Sequence, residues 1–178
     1  MSAVADLLAS RPPRAGRVKV LAVEGRSGSG KSLLATAVAA ELGAPVIRMD
    51  DLYAGWDGLL DGVDALVRWV LAPLRRGETA RWQRYDWHLG RYAEWHPVPA
   101  ADVLVVEGVG AGAREVAPYL SALVWVDAPD EVRRQRALAR DGDTYAPHWD
   151  RWARHEDDFY AHHDVRSRAD LQVRGFPR

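Results

Sequence analysis

The chain has 178 residues, 48% hydrophobic and 28% charged, with a formal net charge of −1. This suits a globular domain with a sizeable core, and the balanced charge supplies no overall field for nucleic acid. Cysteine is absent, which excludes disulfides, thiolate metal sites and cysteine nucleophiles. The apolar runs are far too short to span a bilayer. The opening residues, MSAVADLLASRPPR, lack the basic start and long apolar run of a signal peptide. A cytoplasmic enzyme or binding domain is expected, with no membrane and no nucleic-acid partner.

In chain order, SAVADLLAS (residues 2–10) reads as a short helix ended by Pro12 and Pro13. RVKVLAVEG (17–25) alternates, is β-branched and runs into glycine, so it predicts a strand. KSLLATAVAAELG (31–43) has apolar residues at helical spacing and Gly43 as a stop. APVIRMD (44–50) is a second short strand. GVDALVRWVLAPLRRG (62–77) is a helix broken or kinked near Pro73. Residues 76–99 are irregular and aromatic, as in a binding loop. ADVLVVEG (101–108) and ALVWVDA (122–128) resemble buried parallel strands. DEVRRQRALARDG (130–142) and HWDRWARHEDDFYAHH (148–163) are helices, and ADLQVRG (169–175) is a last strand. Alternating strands and helices predict an α/β fold of three layers, a parallel sheet with helices on both faces. The whole of 1–178 is expected to form one domain, with a short arginine-bearing lid around 131–145.

The positive charges are unevenly written: 22 arginines against two lysines, Lys19 and Lys31. Lys31 sits in Gly25-Arg26-Ser27-Gly28-Ser29-Gly30-Lys31-Ser32, which fits G-x-x-x-x-G-K-[ST] between a strand and a helix. Glycines there let backbone N–H groups curl around phosphate oxygens, and the helix N-terminus adds positive potential. A compact ammonium threads into such a nest where a planar guanidinium would clash. Ser32 is the expected ligand of Mg²⁺. The loop predicts a nucleoside triphosphate ligand, ATP by expectation, without naming the reaction.

Three further stretches bear on the reaction. VIRMDDLY ends a strand with Asp50 and Asp51, and ligands of parallel sheets sit at the carboxyl ends of strands. Either carboxylate can take a proton from an attacking hydroxyl. Alternation along a strand would let only one of the two face the site. VLVVEGVGAG carries Glu107 at a strand end, as in a Walker B element whose carboxylate stands near the metal. Arg133, Arg136 and Arg140 fall at i, i+3 and i+7, so one helix face bears three guanidiniums suited to a transferring phosphoryl group.

In this order, the P-loop, MDDLY, YDW, VVEG and VRRQRALARDGD resemble the uridine kinase-like branch of P-loop kinases, over about Val18 to Gly175. That branch includes uridine–cytidine, nicotinamide riboside, phosphoribulo- and pantothenate kinases. The resemblance implies an ATP- and Mg²⁺-dependent kinase acting on a hydroxyl of a small metabolite, plausibly a nucleoside. It makes Asp50 the base, Gly25 to Ser32 and Arg133 the nucleotide site, Ser32 and Glu107 the metal site, and Lys31, Arg136 and Arg140 the groups that stabilise charge. RYDWHLGRY resembles the substrate-side element of uridine kinase, which implicates Tyr85 and Asp86, with Trp87 beside them. Asp57 falls where that enzyme binds ribose, although GWDGLLDG departs from its pattern. The alternative is a P-loop NTPase serving regulation or assembly without a small-molecule acceptor. Trp149 and Trp152 read as core, and Asp157, Asp158, His162 and His163 as surface. The aromatics of 82–95 suit either packing or a stacking wall for a planar substrate.

Overall fold

Strand β1 (Lys19–Glu24) is the centre of the molecule, and its residues are sorted by parity. Val20 and Ala22 join one apolar cluster, Leu21 and Val23 another. β5 (Val103–Glu107) repeats this, with Leu104 and Val106 on the first side and Val105 on the second. So does β6 (Ala122–Asp127), with Leu123 and Trp125 opposite Ala122, Val124 and Val126. A strand whose two faces are both apolar must be covered on both. The computed structural model describes residues 2–175, all except Arg140 and Asp141 at the level of side chains.

β2 (Val46–Arg48) and β7 (Leu171–Arg174) complete a five-stranded sheet of order β2-β5-β1-β6-β7, with every pairing parallel. Helices α1 (Ala3–Ala9) and α2 (Lys31–Leu42) cover one face with Val4, Leu8, Leu34 and Val38. The other face is covered from α3 (Leu59–Ala65), α5 (Asp130–Tyr145), α6 (Trp149–His163) and α7 (Val165–Arg168). Each fully buried Val or Leu contributes on the order of 2 kcal/mol. No helix among the described residues is long and apolar enough to cross a membrane.

Three elements differ from the sequence expectation. The strand expected over 44–50 stops at Arg48, and Met49–Asp51 form one turn of 3₁₀ helix. The irregularity expected near Pro73 takes the form of a π-helix, Leu66–Leu71, between α3 and α4 (Ala72–Arg75). The Ala72 N–H reaches back five residues to the Val67 carbonyl. Proline has no N–H to return to the preceding turn, and the wider turn accommodates its ring. Residues 76–99 are not irregular, because β3 (Arg81–Asp86) and β4 (Arg91–Pro97) pair as an antiparallel hairpin with a register shift between Gln83 and Tyr85. Its aromatic residues favour strands, and Gly90, at φ 64°, supports the reversal.

Glu24, the last residue of β1, has no exposed surface. Its Oε1 accepts the Gly25 N–H at 3.1 Å and the Tyr160 hydroxyl at 2.7 Å. Its Oε2 accepts the N–H groups of Gly110 at 2.9 Å and Gly112 at 2.8 Å. Burial pushes the carboxyl up from its ordinary 4.5 to about 7, against the opposing pull of these hydrogen bonds. The folded state therefore holds this proton over a range where the unfolded chain has lost it, and stability falls as pH rises from about 5 to 8. Through Glu24 alone the loss is on the order of 3 kcal/mol. Urea melts at the two pH values should show this slope in the wild type and its disappearance in Glu24→Gln; equal slopes would refute the assignment.

Candidate active site

The turn from β1 into α2 is a phosphate cradle in its backbone. Gly25, Gly28 and Gly30 have φ of 152°, 78° and 98°, values that side-chain-bearing residues seldom adopt. A Cβ on Gly28 would lie 2.1 Å from the Arg133 carbonyl oxygen, so α5 closes directly on the loop. α2 begins at Lys31 with no side chain capping it, which leaves its first N–H groups for a ligand. Lys31 is half-buried, and its ammonium makes no hydrogen bond or ion pair among the described residues.

The loop is tied down from outside through the Ser27 backbone and the Arg26 side chain, while the Ser29 hydroxyl is buried with no hydrogen-bond partner. Ser27 N–H donates to Glu156 Oε1 at 2.8 Å, and that carboxylate, 1% exposed on α6, also accepts Trp152 Nε1–H at 3.1 Å. Arg26 reaches Asp157 at 2.6 Å and lies 5.2 Å over the Tyr160 ring. Arg133 is buried, donating to the Ser27 carbonyl at 3.1 Å and to Asp130 at 2.6 Å. Arg26 and Arg133 thus hold the loop in its curve rather than pointing into it. Arg136 borders a different cleft of about 700 Å³, between Asp127–Asp130 and Arg174–Gly175. The Arg140 side chain lies outside the described residues. The three-arginine face expected from the sequence is therefore divided between two environments at Arg133 and Arg136.

Ser32 Oγ donates to Glu107 Oε2 at 3.1 Å. Glu107 is 3% exposed, and burial raises its pKa while the nearby Lys31 charge lowers it. A hydroxyl and a buried carboxylate so placed at the head of α2 offer hard oxygen donors of the kind Mg²⁺ takes.

A cavity of about 450 Å³ opens beside Lys31, lined by Ser27, Asp50, Asp51, Tyr53, Trp56, Trp87, His88, Val109, Thr144, Tyr145 and Trp152. Both carboxylates face it, contrary to the expectation that only one would. The 3₁₀ turn is the reason, since it advances side chains by about 120° per residue instead of the 180° of a strand. Burial and the neighbouring Asp50 charge push the Asp51 carboxyl up. The hairpin clamps this turn: Trp87 Nε1–H donates to the Asp50 carbonyl at 2.9 Å, and the Tyr92 hydroxyl to the Leu52 carbonyl at 2.8 Å.

Of the acceptor-side residues expected from the sequence, the structure brings only Trp87 to this cavity. Tyr85 stands edge-on behind it, with ring centroids 5.5 Å apart. Asp86 closes the hairpin turn, accepting the N–H groups of His88 and Leu89 at 3.0 and 2.9 Å. Asp57 is held by Arg151 and His155 and borders a separate cleft of about 590 Å³ that contains no P-loop residue. A surface aspartate with two basic partners four residues apart on one face of α6 is better satisfied there than turned inward. Trp56, Tyr145, Glu24 and Glu156 carry no site signal in the sequence, whereas Trp152, read there as core, is buried in the core at 5% exposure and also borders the cavity.

Glu156 positions the P-loop without lining the cavity. Glu156→Gln keeps the shape but turns a charge-assisted acceptor into a weaker neutral one. The apparent Kd for Mg·ATP, measured by calorimetry, should rise about tenfold, the effect of losing roughly 1.4 kcal/mol. An unchanged affinity would show that Ser27 needs no such anchor.

No family model matches this chain, and no curated protein does. Among solved structures it is similar to a possible uridine kinase from Bacillus stearothermophilus, with TM-score 0.63, 20% identity and 88% of each chain covered. It is also similar to a candidate fructose transport system kinase from Silicibacter sp. TM1040, with TM-score 0.57, 18% identity, and 99% of this chain and 100% of that one covered. At these identities the likeness is one of architecture: the chain has the α/β P-loop fold.

Proposed function

We propose that this protein is a small-molecule kinase that moves the γ-phosphoryl group of ATP to an alcohol bound in the 450 Å³ cavity. One observation carries the reading. The unpaired Lys31 ammonium, at the head of an uncapped helix, opens on the same cavity as Asp50 and Asp51. Phosphate donor and hydroxyl acceptor would thereby meet between a cation and a base. Both similar structures bear kinase names, which agrees with this reading.

The chain's residues divide the work as follows. The amides at the start of α2 and Lys31 hold the terminal phosphates and receive their charge. Ser32 and Glu107 would hold Mg²⁺, which neutralises phosphate charge when bound. The acceptor oxygen forms a bond to the γ-phosphorus as the bond from that phosphorus to the bridging oxygen breaks, and ADP leaves. The acceptor's proton passes to the carboxylate of Asp50 and from there to water. Because the transition state is loose, orientation of the acceptor hydroxyl matters most. The cleft bordered by Arg136, Arg174 and Gly175 adjoins the cradle, since a Cβ on Gly175 would sit 1.9 Å from the Ser29 carbonyl oxygen. It is the place we assign to the nucleoside end of ATP.

Two variants test this. Lys31→Ala should abolish ATP turnover while the thermal midpoint stays near wild type; wild-type turnover would sink the reading. Asp50→Asn retains size but accepts no proton, so acceptor-dependent ADP formation should fall by about 10²-fold or more with ATP binding kept. Undiminished transfer in Asp50→Asn, with loss in Asp51→Asn, would move the base to the neighbouring residue.

A further inference from the structure

We propose that the cleft of about 590 Å³ beside Asp57 is a second ligand site, suited to a short-chain amine with an oxygen acceptor at its far end, as in an ω-amino acid. Its existence does not depend on phosphoryl transfer. The cleft has the size of a small-metabolite site, and it shares no lining residue with the cavity beside Lys31. It runs along α6 from His155 to His163, about 12 Å at the rise of an α-helix. Leu59, Leu60 and Phe159 give it an apolar floor, with Leu60 62% exposed and open to an alkyl chain. Among the described residues its histidines and carboxylates form no group that could hold a metal ion.

The two halves of the cleft differ. The His155 half is acidic. Asp57 is already held there by Arg151 at 2.8 Å and His155 at 3.0 Å. The carboxylates of Asp61 and Asp158 also line the cleft, and among the described residues they have no hydrogen bond or ion pair. The His163 half presents donors. His163 is 8% exposed, and its ring stacks on Phe159 at 4.2 Å with planes 24° apart. Its Nδ1 accepts the Arg114 N–H at 3.1 Å. Burial holds its pKa down against the opposing pull of Glu115, so the neutral ring carries its proton on Nε2. That Nε2–H has no partner among the described residues, and a buried donor requires an acceptor. Arg114 adds a guanidinium of which only Nε is engaged among the described residues, by the His162 carbonyl at 3.0 Å. Glu115 stands 3.6 Å from Nδ1 and balances the Arg114 charge. A simple anion would therefore meet Asp61 and Asp158, and a simple amine would leave the His163 donor unanswered. An ammonium beside the two aspartates, an alkyl chain over the leucines and an oxygen at Nε2–H satisfy the whole cleft.

The test uses the full-length protein and calorimetry at about pH 7.5, where an alkylamine is charged. The probes are 6-aminohexanoate, hexylamine, which lacks the oxygen acceptor, and hexanoate, which lacks the ammonium. 6-Aminohexanoate should bind about tenfold or more tightly than either relative, because it alone makes charge-assisted contacts at both ends. Asp61, Asp158 and Arg114 are exposed, so their variants should keep a wild-type thermal midpoint. With Asp61→Asn and Asp158→Asn combined, the advantage over hexanoate should shrink to about threefold or less, and in Arg114→Met the advantage over hexylamine should fall about threefold or more. Equal or tighter binding of hexylamine or hexanoate, binding of none of the three, or unchanged preferences in these variants would each overturn the site. Lys31→Ala removes the cation of the other cavity and should leave 6-aminohexanoate binding as it is. Weakened binding in that variant would place the guest in the cavity beside Lys31 and overturn the second site, while leaving the kinase reading standing.

Discussion

The carboxylate of Glu24 is the knot of this structure. It ends β1 without any exposed surface and takes hydrogen bonds from the first P-loop residue, from two amides of the loop after β5, and from Tyr160 on α6. An isolated buried carboxylate costs several kcal/mol, and removing one of its donors leaves that cost uncompensated. The four donors come from segments far apart in sequence, so all must be in place together. The phosphate cradle, the Walker B-like strand end and the helix that walls the cavity are thereby built as one unit.

Such an arrangement raises an electrostatic difficulty that the geometry resolves. A loop that we propose holds polyphosphate has two buried carboxylates, Glu24 and Glu156, packed against it. Each is bonded to backbone N–H groups and side-chain donors outside α2. The first amides of α2 and Lys31 are left for the ligand. The loop's outer polar groups are used for rigidity and its inner ones for binding.

Much of the fold was legible because burial on two faces leaves a simple trace. LAV, VLVV and LVWV are apolar at every position, and only a covered parallel sheet accommodates that. The P-loop was legible because its glycines are demanded by backbone conformation rather than by packing. The hairpin was not, since its strands mix Arg, Gln, Glu and His with aromatics and offer no clean alternation. Nor was the turn at Met49–Asp51, because three residues of 3₁₀ helix leave no periodicity. The misplacement of Asp57 has a similar origin. Its partners Arg151 and His155 lie 94 and 98 positions away, beyond any local pattern. Trp152 reads as core from its helical spacing and is core, and only the assembled cavity shows that it also forms part of the wall beside Trp56.

A single oxygen, Glu156 Oε1, accepts both the Ser27 N–H and the Trp152 indole N–H. A carboxylate oxygen has two lone pairs, so one atom serves both donors at once. Ser27 lies in the P-loop and Trp152 in the wall of the cavity, and both border that cavity. Loop and wall are thereby registered to the same atom of α6, so a displacement of α6 at Glu156 would be carried to both together.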